Sequence, residues 1–267
     1  MIPAYAEVEA AARELPRAAM TGGRLLRAYL VEAKYESLRT FREPAFAGPF
    51  LVLPAALYLL FAVLLFGDAV AKDPKAALYI FTGFAVFGVM GPGLFGFGVG
   101  IAVERDRGLM QLKRALPAPP GATLLAKMAM SMLFVAVMMA TMFLAGTLGH
   151  VRFSAAQMLS ASAVNIVGSL PFCAMGFFIG TLVSGKSAPG FVNLAYLPMI
   201  YLSGFLIPLP KSMHWVEVMS PAYHLNQTVL AAIGVAFEGS VWVHVAVLAG
   251  VTVILTVWSV RRLARVG

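Results

Sequence analysis

The sequence has few charged residues for its length. Only 12% of its 267 residues are Asp, Glu, Lys or Arg, whereas 60% are hydrophobic, and its mean hydropathy is +0.85. Soluble domains carry about 25% charged residues, because their surfaces must face water. A chain this poor in charge cannot cover a water-soluble fold with polar surface, so the composition indicates an integral membrane protein.

Reactive side chains are also scarce. The single cysteine, Cys173, cannot form an intramolecular disulfide, and a metal site needs several ligands. The apolar runs contain almost no ionisable residues, which ion-coupled carriers use at membrane depth as proton or sodium relays. We therefore predict no catalytic residue, no metal site and no bound cofactor, and we expect any uphill transport to draw its energy from a partner.

Six apolar windows are long enough to cross a bilayer, which takes about 20 residues of helix. They are Pro49–Phe66, Ala77–Val103, Leu125–Leu148, Met158–Val183, Pro189–Ile207 and Val241–Val260. The stretch over residues 208–240 is interrupted by Glu217, Pro221 and His224, so we predict a re-entrant segment there. The predicted fold class is thus an all-α integral membrane protein with six transmembrane helices.

Basic residues outside the windows are distributed unequally. One side holds 16 of them, in the N-terminal segment, the second-to-third loop, Lys186 and the C-terminus, and the other side holds four. By the positive-inside rule, the richer side is cytoplasmic, which places both termini in the cytoplasm. This asymmetry accounts for the net charge of +8 without a nucleic-acid partner.

Residues 1–48 are predicted to be a cytoplasmic segment, and residues 49–267 the transmembrane domain. Within the first segment, apolar residues recur at helical spacing at Leu26, Tyr29, Leu30, Ala33 and Phe41. This pattern predicts an amphipathic helix on the cytoplasmic membrane surface, ended by Pro44. A solvated tail is the alternative.

One motif matches a nucleotide-binding pattern. Gly180, Gly185, Lys186 and Ser187 have the spacing of the phosphate-binding P-loop. That motif functions only between a buried strand and a helix, because its backbone N–H groups must cradle the phosphates. Here a membrane-length apolar run precedes it and Pro189 follows at once. We interpret the match as chance and predict a short cytoplasmic turn.

The loop at residues 104–124 combines charge, a glycine and a short helix. Glu104 and Arg105 end the second window, Gly108 follows, and Leu109–Ala115 can form an amphipathic helix that Pro117 stops. Leu109 and Leu112 lie three residues apart on one face of this helix. Simple positive-inside anchoring is the alternative interpretation of the charges.

This loop resembles the coupling region of type-2 ABC transporter permeases. The matching residues are Glu104, Arg105, Gly108, Leu112, Pro117 and Lys127. A second match runs through Gly204, Pro208, Trp215 and Pro221, which resembles the turn after span five and the re-entrant hairpin before span six. The sequence Arg42-Glu43-Pro44 after the amphipathic helix is the third match.

The resemblance implies a permease subunit in a bacterial inner membrane. It would pair with a second permease, as a homodimer or heterodimer, and bind separate ABC ATPase subunits through the coupling loop. The chain itself would be no enzyme, since the partner binds ATP. We expect export of a hydrophobic or amphipathic small molecule, which the methionine-rich third window favours. Export of a lipid-linked polysaccharide and a non-transporting scaffold are the alternatives.

Overall fold

The computed structural model describes residues 22–65, 67, 73–115, 121–149, 151–204 and 209–266, and within these ranges all regular structure is helical. The α-helices are α1 (Gly22–Phe41), α2 (Pro44–Leu59), α3 (Pro74–Gly91), α4 (Gly100–Asp106), α5 (Leu109–Ala115), α6 (Ala122–Leu148), α7 (Ala155–Val167), α8 (Leu170–Leu182), α9 (Ala188–Leu202), α10 (His214–Val218), α11 (Pro221–Ala232) and α12 (Val241–Val266). A π-helical turn, Leu60–Leu65, continues α2, and another, Pro92–Val99, joins α3 to α4.

Five helical stretches are long and apolar enough to cross a bilayer. They are Pro44–Leu65, Lys75–Asp106, Ala122–Leu148, Ala155–Leu182 and Val241–Arg265. They coincide with five predicted windows, although the first begins at Pro44 instead of Pro49. The remaining window forms α9, whose 15 residues rise about 22 Å, less than the bilayer core of about 30 Å. A multi-pass helical membrane protein is confirmed, and the sixth span stays a prediction.

The span Lys75–Asp106 lies at the centre of the bundle. Inside the protein, 72% of its apolar window is buried, against 17% for the first and the last span. The outer faces of those two spans therefore need lipid or another protein to cover them.

Glycines allow α8 to lie unusually close to this central span. A Cβ atom on Gly176 would lie 2.6 Å from the carbonyl oxygen of Gly93, and one on Gly98 would lie 2.8 Å from the carbonyl oxygen of Gly176. Gly180 meets Gly98 in the same way. Small residues at such spacing let helix backbones approach within a membrane.

The bundle has two chemically different ends. At the first, which we call the charged end, Arg39 of α1 pairs with Glu104 of α4, and Arg262 of α12 lies 3.3 Å from the carbonyl oxygen of Thr181. At the other end, which we call the hairpin end, the chain forms α10 and α11 after α9 and before α12. α1 and the last turns of α12 thus lie at the same end.

Helix α9 connects these two ends. The amide of Gly185, just before it, donates to Asp106 Oδ2 at 2.6 Å at the charged end. The carbonyl of Gly204, just after it, accepts from Tyr79 Oη at 3.4 Å at the hairpin end. The chain therefore passes the full length of the central span between residues 185 and 204.

The predicted re-entrant segment contains a 3₁₀ helix, Lys211–Met213, and the two short α-helices α10 and α11. α11 has 12 residues, about 18 Å of helix, and cannot cross a bilayer. Nine consecutive side chains of this helix, from Ala222 to Leu230, are nevertheless buried. The segment is an integral part of the bundle, and its depth in the membrane stays a prediction.

Helix α1 does not present the single apolar face predicted for it. Leu26 and Leu30 are each 61% exposed, whereas Phe41 turns inward and stacks on Phe134 at 5.1 Å between ring centroids. The inward side of α1 carries acidic residues, including the buried Glu36. The predicted face is divided because these carboxylates bind cations within the bundle.

The close approach of α8 to the central span predicts the effect of adding one methyl group. Gly176→Ala should lower the free energy of unfolding by about 1–3 kcal/mol, because backbone atoms on the facing helix cannot move aside. Gly250→Ala is the matched control, since a Cβ there meets nothing within 4 Å. Thermal unfolding of both variants in detergent checks this, and equal Tm values would show that the helices do not meet at Gly176.

Candidate functional site at the charged end

Glu104, in the last turn of α4, is almost completely buried. Its carboxylate oxygen Oε1 accepts from Lys127 Nζ and from Arg39 Nη1, both at 2.9 Å. Lys127 is buried to the same degree, at 1% exposure of its side chain, and also donates to Glu36. Buried charges persist only when they are paired, so α1, α4 and α6 are held together by this contact.

The helix α5 joins the same set of charges through Lys113. Its Nζ lies 3.0 Å from Glu32 Oε1 and 3.8 Å from Glu104 Oε2. Thr123, at the start of α6, also donates to Glu32, at 3.4 Å. We call the six charged residues the charge cluster: Glu32, Glu36, Arg39, Glu104, Lys113 and Lys127.

The charge cluster is balanced, with three carboxylates and three cations. Burial lowers the pKa of Lys113, but the carboxylates of Glu104 and Glu32 outweigh this effect and raise it. The ammonium group of Lys113 therefore stays charged across the physiological range. Glu36, Glu104 and Lys127 are the buried members, and removal of one of these three would leave an uncompensated charge in the interior, which is strongly destabilising.

Local geometry explains how these residues meet. Glu32, Glu36 and Arg39 are spaced four and three residues apart, so they lie on one face of α1. Gly108 has φ +70°, a conformation that favours glycine, and it turns the chain between α4 and α5. This turn brings Lys113 back alongside Glu104.

Arg105 and Asp106 connect the central span to the loop after α8. The guanidinium of Arg105 donates to the carbonyl oxygens of Thr181 and Val183, each at 2.7 Å. These carbonyls have no partner within the helix, and a cation at a helix C-terminus also interacts favourably with its dipole. Asp106 accepts the amide of Gly185 at 2.6 Å. The charged end is thus continuous from α1 to the end of α8.

A family model described as ABC-2 type transporter matches residues 27–233, more than half of the chain. The chain belongs to the ABC-2 type transporter family. It is similar to the putative transport permease YvfS of Bacillus subtilis (strain 168), with 25% identity over 195 residues, which cover 72% of this chain and 79% of the relative. The type-2 ABC permease resemblance is confirmed, and it makes the chain a membrane transport subunit, not itself an enzyme.

The predicted coupling residues of this ABC-2 permease have different environments. The carboxylate of Glu104 and the guanidinium of Arg105 bind other parts of the same chain. Leu109 begins α5 and is half-buried, and Leu112 lies in the same helix, whose bounds are those predicted. Pro117 lies outside the described residues.

The predicted turn residues at the hairpin end come together where they are described. Gly204 has φ +71°, a conformation that favours glycine, and a Cβ there would displace the carboxylate of Glu217. Pro221 is the first residue of α11. The hydroxyls of Ser203 and Ser220, next to these two residues, are 2.8 Å apart. Pro208 lies outside the described residues.

The P-loop match of the permease forms no phosphate cradle. Gly180 lies inside α8 and packs on Gly98, and the amide of Gly185 is bound by Asp106. Lys186 is exposed at the turn. In this described stretch the motif lies in a short turn between α8 and α9, with a helix where the P-loop needs a strand. The predicted turn is confirmed, and the chance interpretation of the motif stays a prediction.

Sequence reasoning missed four members of the charge cluster. Lys127 was among the residues that match the family pattern, but Glu32, Glu36, Arg39 and Lys113 were not recognised as its partners or neighbours. A signal was present in the spacing of charges along one face of α1 and in the lone lysine at the start of an apolar window. Neither feature indicates which helices would meet.

The balance of the charge cluster can be tested by a double-mutant cycle. Glu104→Gln and Lys127→Met should each lower the free energy of unfolding by about 3–5 kcal/mol, because each removes an ion-pair partner from a buried charge and unbalances the cluster. The double variant should be much less destabilised than the sum of the two. Lys34→Met, at an exposed position of α1, serves as the control. Additive losses in thermal unfolding would contradict a direct pairing.

The turn after α8 predicts the outcome of removing Lys186. In a complex assembled with its ATPase, Lys186→Ala should leave ATP turnover within about two- to threefold of wild type, because no phosphate site exists there. The purified permease alone should hydrolyse no ATP. Loss of turnover on this substitution would restore the nucleotide-binding interpretation.

Proposed function

We propose that this chain is the permease subunit of an ATP-driven exporter, and that a separate ABC ATPase subunit docks at the charged end. Helix α5 is the proposed docking element. Its Leu109 and Leu112 would fit an apolar groove of the ATPase, which is a common mode of helix recognition. ATP binding and hydrolysis belong to the partner.

The observation that supports this proposal most strongly is the link between α5 and the rest of the bundle. Lys113 of α5 contacts carboxylates of α1 and α4. The carboxylate in α4, Glu104, also binds Lys127 of α6. A displacement of α5 by the ATPase therefore acts on three other helices at once. An anchoring loop would have no need for a lysine paired with a buried carboxylate of another helix.

Lys113 provides a means of switching within this link. It lies between two carboxylates, at 3.0 Å from Glu32 and 3.8 Å from Glu104 Oε2, and that oxygen has no hydrogen bond within the described part of the chain. A shift of about 1 Å in α5 would exchange one partner for the other. Small shifts are amplified in this way when packed elements have two discrete arrangements.

The proposed orientation of the protein in the membrane is based on the distribution of its basic residues. The charged end contains most of the basic residues, so we place it, and both termini, in the cytoplasm of a bacterial inner membrane. α9 is the proposed sixth span, because it connects the two ends of the bundle. α10 and α11 form the proposed re-entrant hairpin on the outer side, and α1 lies along the cytoplasmic surface with Leu26 and Leu30 toward lipid.

The proposed substrate is a hydrophobic or amphipathic small molecule, drug-like or lipid-like. Between Lys127 and the hairpin end, the described spans bring no Asp, Glu, Lys or Arg to membrane depth, and aromatic rings such as Phe81, Phe84 and Phe143 occupy the core. Such an interior offers little to the hydroxyl groups of a polysaccharide. A second permease copy would complete the pathway, covering the exposed faces of the outer spans.

The methionine argument does not contribute to this choice. Met130, Met138, Met139 and Met142 are buried in the packed core, each at 0–1% exposure, and Met138 Sδ would lie 2.8 Å from a Cβ on Gly88. They fill space between α6 and the central span. The expectation that the methionine-rich helix offers an adaptable substrate surface finds no support in this packing.

Two substitutions separate docking from transmission. Leu112→Asp should reduce co-purification of the ATPase by about tenfold or more, because a charge enters the proposed apolar contact. Glu104→Gln should leave the ATPase bound but reduce export per ATP hydrolysed, because the link from α5 to α6 is broken. Leu112→Met, which conserves volume, is the control and should behave as wild type.

The measurement combines ATPase co-purification with substrate-stimulated hydrolysis and export in proteoliposomes. Wild-type association and wild-type export in both variants would reduce the loop to an anchor and refute the exporter proposal. If the folded Glu104→Gln variant no longer binds the ATPase, the charge cluster itself is the docking site.

A further inference from the structure

Two buried histidines meet at the hairpin end. His224 of α11 and His244 of α12 have their Nδ1 atoms 2.8 Å apart, and they are only 2% and 4% exposed. Each ring also makes a second hydrogen bond to a backbone carbonyl. His224 Nε2 lies 2.8 Å from the oxygen of Val218, and His244 Nε2 lies 2.7 Å from the oxygen of Glu238.

The two carbonyls fix the positions of the protons. A carbonyl oxygen can only accept, so both Nε2 atoms must carry hydrogen. A neutral imidazole has one N–H, so two neutral rings would direct two Nδ1 lone pairs at each other across 2.8 Å. A hydrogen bond between the Nδ1 atoms therefore needs one more proton, which makes one ring an imidazolium and the pair singly positive.

From this geometry we propose that His224 and His244 form a proton-binding site, in which one proton shared between the two Nδ1 atoms fastens the hairpin to the last span. The pair joins α11 to α12 at a point where nearly all of α11 is buried. When the proton leaves, the facing lone pairs repel and the rings must separate or one must break its carbonyl contact. The hairpin is then released from α12 at this contact.

A proton fits this site better than a metal ion. Within the described ranges, no group of three or more His, Cys, Asp or Glu side chains could hold a metal, and zinc sites need at least three protein ligands. The separation of 2.8 Å is that of a normal hydrogen bond between nitrogen atoms.

Surrounding groups set the pH range of the site. Burial lowers the pKa of His224, whereas its hydrogen bond to the carbonyl of Val218 raises it. The neighbouring ring of His244 lowers the pKa of His224 further. Tyr223 lies against both imidazole rings, edge to face. The other ionisable groups on the elements packed around the pair are His214 and Glu217 of α10, Glu238 of the turn between α11 and α12, Lys75 and Tyr79 of α3, and Tyr196 and Tyr201 of α9. Helix α7 has none.

None of these carboxylates forms an ion pair with either imidazole within the described part of the chain, since Glu238 instead accepts from Tyr223 Oη at 3.1 Å and Glu217 binds His214 at 3.0 Å. Neither carboxylate offsets the effect of burial on His224, so the pKa of this imidazole stays below its ordinary value. The site is empty of its extra proton in neutral medium and occupied in acidic medium. If the exporter proposal holds, that medium is the cell exterior.

A double-mutant cycle across pH tests the shared proton. Full-length permease in lipid nanodiscs is compared with His224→Ala, His244→Ala and the double variant, in buffer with EDTA, from about pH 8 down to about pH 4.5. We expect a coupling of about 3–10 °C in Tm at the acidic end and none at pH 8, because a hydrogen bond to a charged group is among the stronger ones. A parallel cycle with His214→Ala and His244→Ala should show no coupling at any pH.

Nitrogen-15 NMR of histidine-labelled wild-type protein provides a test that does not depend on how the variants fold. A coupling between the two Nδ1 atoms, transmitted through the shared hydrogen bond, should appear in acid and vanish at pH 8. Coupling in the Tm cycle that is independent of pH, or contact that is lost with EDTA, would overturn the proposal. Neither measurement involves transport or an ATPase, so failure of this site and failure of the exporter proposal are distinguishable.

Discussion

The buried pair of Glu104 and Lys127 is the contact on which the charged end depends. Each side chain is 1% exposed, and an isolated charge at that depth would be strongly unfavourable. Each member of the pair also binds a residue of α1, Lys127 to Glu36 and Glu104 to Arg39, so the pair determines how α1 lies on the bundle. It also explains why α1 exposes leucines: its polar stripe is needed inside, so its apolar residues face outward.

The same constraint separates the protein into functional regions. At the charged end, paired charges connect α1, α4, α5 and α6, and Arg105 connects the central span to α8. Between the ends, the packing is apolar and close, with glycines at the contact of α8 and the central span. At the hairpin end, hydrogen bonds fasten short helices to longer ones. The proposed export mechanism uses this arrangement, with the ATPase acting at the charged end and the hairpin end opening.

Much of the fold could be predicted from the sequence because it depends on local properties. Helix α5 has the predicted bounds, Leu109–Ala115, since Gly108 and the charge pattern act locally. Five windows became membrane-length helices because length and hydropathy decide that outcome. The partners in the charge cluster could not be predicted, because Arg39 and Glu104 are 65 residues apart and Glu36 and Lys127 are 91 apart. The apolar face of α1 is divided because its carboxylates bind these distant partners, so the division could not be predicted either. The histidine pair depends on a contact between two helices that no local pattern indicates.

The most direct test of the central claim is a distance measurement in the assembled complex. Pairs of spin labels on exposed positions of α1, α5 and the first turns of α6 would be compared in the nucleotide-free and ATP-bound states. If the charge cluster transmits motion, distances among these three helices should change by no more than about 1–2 Å, the size of the partner exchange at Lys113, while their distances to α12 change by more. Movement of α5 away from α1 and α6 on ATP binding, by several ångströms, would contradict the account.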